Sequence, residues 1–134
     1  MDATGIKYTN TDLDGISMMP IFSGKGDYQR TELYFHYPHY HHQGFKPGGA
    51  IRQGDYKLIE WYEQALYGEK GQINLYNLKE DIGEENDLAS EMPDLAAKLR
   101  DKLHAWRAQV SAQEMTVNNN YNPKKADYRF EDQK

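Results

Sequence analysis

The stretch that decides the fold is a run of two short apolar segments around one tight turn: Ala50-Ile51-Arg52-Gln53-Gly54-Asp55-Tyr56-Lys57-Leu58-Ile59-Glu60-Trp61-Tyr62. Gly54-Asp55 suits the centre of the turn, because glycine takes a positive φ without steric cost. The aromatic and β-branched side chains that flank the turn favour extended chain. The sequence therefore predicts a β-hairpin with strands at 50–53 and 56–62.

The second strand of this hairpin carries apolar side chains on both faces. Tyr56 and Leu58 point one way, and Lys57, Ile59 and Trp61 point the other, because side chains alternate along a strand. A strand with one solvated face usually shows a polar residue at every second position. We therefore expect one face of the sheet to pack on a local helix and the other to pack on something larger.

Two further strands and a helix are predicted outside the hairpin. Glu32–Tyr37 is rich in aromatic residues and is closed by Pro38, and Gln72–Leu78 alternates like the hairpin strands. From Leu88 to about Ser111 the pattern is helical. One apolar stripe runs along this helix at spacings of three and four: Leu95, Leu99, Leu103, Trp106 and Val110. The predicted fold class is α+β, an antiparallel sheet of about four strands packed on one long C-terminal helix.

The chain length of 134 residues fits one domain between two polar segments. Residues 1–28 are expected to form a linker, in which the apolar cluster Ile16–Phe22 is broken by Pro20. Residues 29–112 form the predicted sheet and helix. Residues 113–134 form an asparagine-rich polar tail, which we expect to be disordered unless another part of the protein holds it.

The composition argues against several classes of function. The formal net charge is −5, whereas nucleic-acid binders show a strong basic excess. No apolar run approaches the ~20 residues that span a membrane. We therefore expect neither nucleic acid nor membrane as a partner. The absence of cysteine rules out disulfides, thiolate metal sites and a cysteine nucleophile within this chain.

A cluster of histidines and tyrosines is the most suggestive chemical feature: His36-Tyr37-Pro38-His39-Tyr40-His41-His42. Clustered imidazoles bind transition metals, donate hydrogen bonds to anions or shuttle protons near neutral pH. The cluster can be interpreted as an exposed loop without a chemical role, as a loop that contacts substrate beside a cleft, or as a structural or interface element. A metal site is a further interpretation, although no carboxylate or cysteine ligand lies at a motif spacing.

A second candidate is a cationic segment with paired glycines, Phe45-Lys46-Pro47-Gly48-Gly49-Ala50-Ile51-Arg52. Backbone amides in a glycine-rich turn can cradle a sulfate or phosphate group. The segment lacks a phosphate-loop pattern, and the start of a hairpin strand explains its glycines equally well.

Four blocks of the sequence follow one another in a fixed order: Asp14-Gly15-Ile16-Ser17-Met18-Met19-Pro20, Arg30–Pro38, Ala50–Glu60 and Leu75–Ala89. The first resembles the Asp-Gly-x-Ser-Leu-Leu-Pro segment that leads out of the large domain of sulfatases. The other three resemble the first strand, the central hairpin, and the last strand with its acidic turn in the C-terminal subdomain of those enzymes. The resemblance covers about Asp14 to Val110 and places the sequence with arylsulfatase-like sulfuric ester hydrolases.

The resemblance implies an intact parent that hydrolyses sulfate esters, with a sulfated carbohydrate as the expected substrate. In this family a formylglycine, made from Cys or Ser in a Cys/Ser-x-Pro/Ala-x-Arg motif, attacks sulfur beside a bound calcium ion, and both groups belong to the large domain. This sequence contains no such motif and none of the family's Asp-Asp or Asp-Asn ligand pairs. We therefore expect no catalytic residue, no metal ligand and no cofactor here, and no sulfatase activity from this chain alone. The parent is expected to be exported, as a periplasmic or secreted protein.

The resemblance also implies a partner, the missing N-terminal catalytic domain, from which residues 1–28 would lead. The subdomain would stabilise that domain and line one side of its substrate cleft. His36, His39 and Tyr40 are then the predicted substrate-binding residues, which would contact a sulfated small molecule or glycan.

Two other functions stay open at this point. A stand-alone ligand-binding or interaction module predicts a polar sheet face, whereas docking on a large domain predicts an exposed apolar face, which self-association could hide. A histidine-rich metal binder would use His39, His41 and His42.

Overall fold

The protein folds as a four-stranded antiparallel sheet packed on one long helix. The computed structural model describes residues 4–7, 15–26, 30–41, 44–64 and 72–120. The elements in chain order are α1 (Met19–Phe22), β1 (Glu32–Tyr37), β2 (Gly48–Gln53), β3 (Tyr56–Trp61), β4 (Ile73–Asn77) and α2 (Pro93–Gln109). The strands lie in the sheet in the order β1-β2-β3-β4. This arrangement confirms the predicted α+β fold class, with its four strands and its long C-terminal helix.

The hairpin of strands β2 and β3 forms the centre of the sheet. Gly54 takes a φ of +59° in the turn between β2 and β3, as the turn requires. Ile51 of β2 lies opposite Leu58 of β3, and Leu58 lies opposite Leu75 of β4. Because these three positions face the same side, they form one continuous apolar strip across the strands.

The core lies between that strip and α2. Ile51, Leu58 and Leu75 from the sheet and Leu99 and Leu103 from the helix are fully buried. Each fully buried side chain of this kind contributes about 1.5–3 kcal/mol relative to an exposed one. The core is therefore narrow and is built around a handful of aliphatic side chains.

Two positions on α2 differ from the predicted apolar stripe. Val110 was expected in the stripe but is exposed, because the helix ends at Gln109 and the chain turns away there. Ala96 was not predicted as a core residue, yet it is buried because it lies three residues before Leu99 on the same face. The helix begins at Pro93, five residues after the predicted start at Leu88, because proline needs no backbone donor in the first turn.

The N-terminal part contains a short helix that the sequence analysis did not predict. Pro20 was read as a break in the apolar cluster Ile16–Phe22, but it lies in the first turn of α1. The physical reason is that the missing N–H of proline has no intrahelical acceptor in a first turn. None of the helices within the described residues is long and apolar enough to cross a membrane.

Strand β2 begins at Gly48, two residues earlier than predicted. An added Cβ at Gly48 would lie 3.2 Å from the ring of Trp61, and one at Gly49 would overlap the hydroxyl of Tyr62. The paired glycines therefore seat two aromatic rings on opposite faces of the sheet. This packing accounts for both glycines without an anion-binding turn.

Candidate functional site

The three predicted site residues lie at the end of β1 and in the loop that follows it, and they do not share one surface. Tyr34 stacks on Trp106 of α2, with ring centroids 5.0 Å apart. Because side chains alternate along the strand, His36 lies on the same helix-covered face. His39 and Tyr40 come after Pro38 and are exposed. His39 and Tyr40 are thus exposed neighbours in the loop, whereas His36 lies on the helix-covered face of the sheet.

Both ring nitrogens of His36 are engaged within the fold. Nε2 lies 2.7 Å from the backbone oxygen of Gln113, and Nδ1 lies 2.8 Å from the hydroxyl of Tyr62. A carbonyl oxygen only accepts, so Nε2 carries the hydrogen and Nδ1 of the neutral ring accepts from Tyr62. A direct hydrogen bond from His36 to a substrate would require one of these bonds to break.

Tyr62, which follows β3, is the buried partner in this arrangement, with 5% of its surface exposed. Burial raises the pKa of Tyr62 to about 12, against the opposing effect of the nearby Arg107 cation. Its phenol therefore stays protonated at neutral pH and can donate to His36. The Arg107 guanidinium lies over the Tyr62 ring, 4.5 Å from its centroid, in cation–π geometry.

Glu60 is the buried carboxylate of the same region, and 7% of it is exposed. Its two oxygens each lie 2.8 Å from Nε2 of His104, and Arg107 donates to it at 3.2 Å. Arg107 also pairs with Glu114 beyond the end of α2. A carboxylate this deeply buried is stable only with such partners, so this polar cluster ties β3 to the last turns of α2.

The exposed loop after β1 is folded on itself. The N–H of His41 donates to the oxygen of Phe45 at 3.1 Å, and the N–H of Gly44 donates to the oxygen of His41 at 3.0 Å. The hydroxyl of Tyr40 donates to a carboxylate oxygen of Glu63 at 2.8 Å. We use the term candidate loop for residues 38–41 and 44–47; His42, which was part of the predicted histidine cluster, lies outside the described residues.

The side chains of the candidate loop can hydrogen-bond to a ligand and stack on it. An imidazole and a phenol donate hydrogen bonds to hydroxyl or sulfate oxygens, and the aromatic ring of Tyr40 can stack on a sugar. Within the described residues, no group of three or more His, Cys, Asp or Glu side chains is arranged to hold a metal ion. The chain contains no cysteine and no formylglycine motif. The described residues therefore offer no group that fits the calcium ion implied by the resemblance, and the sequence has no motif for the formylglycine.

The second surface of interest is the sheet face opposite α2, which we call the open face. Phe35 is 56% exposed on it, and a groove of about 550 Å³ runs over its centre. Six apolar side chains account for most of the groove: Phe35, Tyr37, Phe45, Ala50, Ile59 and Trp61. An apolar sheet face without a layer on it is typical of a surface that another domain covers.

Three residues of the helix-covered side were missed as site residues by the sequence analysis. Tyr62, Glu60 and Arg107 come from different elements, and no local pattern joins them. Gly49 was the one available signal, because a glycine inside a strand often marks a close approach by another group.

Comparison with known proteins gives a consistent result. A family described as N-sulphoglucosamine sulphohydrolase, C-terminal, matches residues 1–109. A curated sulfatase of Formosa agariphila is 33% identical over 107 residues, which cover 71% of this chain and 18% of the relative.

Solved structures share the same fold. A protein of Bacteroides thetaiotaomicron, provisionally described as a sulfatase, superposes with a TM-score of 0.64 at 22% identity and matches 87% of this chain and 25% of its own. A second solved structure, of a protein in complex with its substrate D-glucosamine-2-N,6-O-disulfate, gives a TM-score of 0.63 at 25% identity. The match covers 82% of this chain and 22% of that protein's chain. The chain thus spans a quarter or less of the length of these relatives.

Proposed function

The chain belongs to the N-sulphoglucosamine sulphohydrolase C-terminal family, and on that premise we propose that it serves as the C-terminal domain of a sulfatase whose larger part hydrolyses sulfate esters of a carbohydrate. The chain itself supplies no nucleophile and does not hydrolyse sulfate esters alone. Its role is to stabilise the catalytic domain and to line one side of the substrate cleft.

The single observation that carries this proposal is the open face. A stand-alone binding module predicts a polar sheet face, whereas Phe35, Ile59 and Trp61 present an apolar one. The relatives carry at least three quarters of their length beyond the matching region. The catalytic part of such a protein is therefore the occupant that we propose for the open face.

A chimera tests the docking role. This chain would replace the matching domain of the Formosa agariphila sulfatase, and hydrolysis of 4-nitrophenyl sulfate would be followed. We expect no hydrolysis by the chain alone and hydrolysis by the chimera. Phe35→Asp places a charge on the open face and should lower the yield of soluble, active chimera at least about tenfold, the equivalent of about 1.4 kcal/mol.

Ile82→Asp is the matched control, because Ile82 is 83% exposed, lies in the turn after β4 and does not line the groove. It should leave the yield and the rate of the chimera unchanged. Sulfate release by the chain alone, or equal yields from the Phe35 and Ile82 variants, would contradict the proposal.

For the cleft, we propose that His39 and Tyr40 contact the substrate, and that His36 supports them from behind. The sequence predicted all three residues as substrate-binding. His36 receives a supporting role instead, because both of its ring nitrogens already make hydrogen bonds. His39 and Tyr40 are exposed, so a ligand can reach them, and Tyr40 would exchange its hydrogen bond to the partly exposed carboxylate of Glu63 for one to the ligand.

Kinetics of the same chimera on a sulfated glucosamine test the cleft assignment. We expect His39→Ala and Tyr40→Phe to raise KM about five- to tenfold each with little change in kcat, as expected for the loss of one hydrogen bond. Tyr56→Phe, on the other side of the sheet, should leave both constants unchanged. Unchanged KM in the His39 and Tyr40 variants would remove these residues from the cleft.

A further inference from the structure

The segment after α2 turns back along the protein instead of leaving it. The N–H of Val110 donates to the oxygen of Trp106 at 3.0 Å, and the N–H of Ala112 donates to the oxygen of Arg107 at 2.9 Å. Between them Ser111 has a φ of +50°, a conformation that usually belongs to glycine at the end of a helix. A non-glycine residue stays in this conformation when its surroundings hold it there. We call residues 112–120 the strap.

The strap is attached at two points on different elements. The backbone oxygen of Gln113 accepts from Nε2 of His36 on β1, at 2.7 Å. The carboxylate of Glu114 pairs with Arg107 on α2. The strap therefore bridges the edge of the sheet and the helix, and it does so at the strand end from which the candidate loop departs. The tail from residue 113 was expected to need a holding contact, and these two bonds are such contacts at Gln113 and Glu114.

Tyr62 joins the strap to both ends of the candidate loop. Its hydroxyl donates to His36, which lies two residues before the start of the loop, and its backbone N–H donates to the oxygen of Pro47 at the end of the loop, at 3.1 Å. Arg107, which holds the strap, also lies over the Tyr62 ring. One buried residue thus contacts the strand end that leads into the loop, the end of the loop and the anchor of the strap: the first and third through its side chain, the second through its backbone.

Strand β2 is shaped to admit this contact. A Cβ at Gly49 would overlap the Tyr62 hydroxyl and would lie 3.2 Å from the backbone oxygen of Phe35. Gly49 lies directly opposite His36 in the register of β1 and β2. A side chain at Gly49 and the hydrogen bond between Tyr62 and His36 therefore exclude each other.

From these contacts we infer that the strap positions the candidate loop, with His36 and Tyr62 as the positioning residues that connect them. Its importance for substrate binding rests on the proposed function, in which the loop contacts the leaving group. The mechanical link between strap and loop does not depend on that function, because every contact in it lies within this chain.

Amide hydrogen exchange of the chain without substrate tests the link. Tyr62→Phe removes one hydroxyl and keeps the ring beneath Arg107. We expect exchange of the candidate-loop amides to accelerate about five- to tenfold, as for the loss of one buried hydrogen bond. Tyr56→Phe is the matched control at the start of the strand that Tyr62 follows, and the Tyr56 hydroxyl has no hydrogen-bond partner within the described part of the chain. It should leave loop exchange unchanged.

The ¹⁵N shifts of the His36 ring give a second readout, which a merely stabilising role would not move. In the unsubstituted chain they should report hydrogen on Nε2 and a hydrogen-bonded acceptor at Nδ1. In Tyr62→Phe the hydrogen should stay on Nε2, which still donates to Gln113, while the Nδ1 resonance should move because its donor is gone. Glu114→Gln should loosen the strap and the loop together. Equal loop exchange in the Tyr62 and Tyr56 variants, or an Nδ1 resonance that does not move in Tyr62→Phe, would overturn the inference.

These outcomes are separable from those of the proposed function. If the loop loosens in Tyr62→Phe while His39→Ala leaves KM unchanged in the chimera, the strap positions a loop that does not bind substrate. If His39→Ala raises KM while Tyr62→Phe leaves the loop unchanged, the cleft assignment holds and the positioning role is refuted.

Discussion

The two faces of the same sheet differ in what covers them, although both are apolar. On the covered face, Ile51 and Leu58 are fully buried beneath α2, whereas on the open face Phe35 keeps more than half of its surface exposed. Within the described residues there are one sheet, one long helix that covers one face of it, and an opposite apolar face without a layer on it. The side chains that stabilise this chain therefore lie on one face of the sheet, and the proposed contact with the catalytic domain lies on the other.

The largest effect is expected on the covered face. Leu58→Ala should lower the free energy of unfolding by about 2–5 kcal/mol, because it opens a cavity in a small core. Phe35→Ala on the open face should change it by less than about 0.5–1 kcal/mol, as for a largely exposed side chain. Urea denaturation of both variants measures the difference. Equal losses would mean that the open face is covered within the chain itself.

The next largest effect is expected from acid, which should lower the stability of the fold. The hydrogen bonds from Lys102 and Tyr34 hold the pKa of Glu32 below its usual value of 4.5. A lowered folded-state pKa means that the ionised form favours the fold, so this stabilisation is present above the unfolded pKa and is lost as pH falls through the folded one. The urea midpoint should therefore decline below about pH 4.5.

Asp87 adds to the same acid dependence. Its burial opposes ionisation, but the N–H groups of Leu75 and Ala89 and the amide of Asn74 outweigh burial and hold its pKa below 3.8. The double variant Glu32→Gln, Asp87→Asn should flatten the decline between pH 5 and 3. A midpoint with the same acid slope in both proteins would exclude these carboxylates as its cause.

A smaller effect is expected where the strap leaves α2 and closes the edge of the covered face. Ser111→Gly should raise the free energy of unfolding by about 0.5 kcal/mol, since relief of about 1–2 kcal/mol of left-handed backbone strain exceeds the extra backbone entropy of glycine. Thermal denaturation measures the change. A lower stability would show that the serine side chain contributes more than its backbone strain removes.

The smallest effect on stability is expected for Phe35→Asp in the isolated chain. Its free energy of unfolding should stay within about 0.5 kcal/mol of the original, as for other surface substitutions. Its solubility should rise, because a charge interrupts the apolar groove. Ile82→Asp supplies the comparison, since it adds the same charge without touching the groove.

The fold could be predicted from the sequence because its signals are local. The alternation in β3, the Gly54 turn and the spacing of Leu99 and Leu103 each lie within a few residues and depend on one element at a time. The predictions were wrong at the ends of helices, where local signals conflict. Proline, as at Pro20, can both break and begin a helix, and Val110 continues the apolar stripe beyond the end of α2.

The site could be predicted only in part, because its contacts join distant residues. The histidine cluster marked the candidate loop, and alternation along β1 placed His36 opposite Tyr37. The bonds from His36 to Tyr62 and Gln113 span 26 and 77 positions. Such contacts depend on strand register and on the path of the chain after α2, which residue patterns do not encode.

The most direct test of the central claim is thiol labelling of the open face, which is clean because the chain has no cysteine of its own. Phe35→Cys and Ile82→Cys would be labelled in the chain alone and after addition of the catalytic part of the Formosa agariphila sulfatase, with label counted on this chain by mass spectrometry. Both introduced cysteines should be labelled rapidly in the chain alone. The catalytic part should slow labelling at position 35 at least about tenfold, the equivalent of about 1.4 kcal/mol of protection. The labelling rate at position 82 should stay the same. Equal labelling of the two positions in the presence of the catalytic part would contradict the central claim.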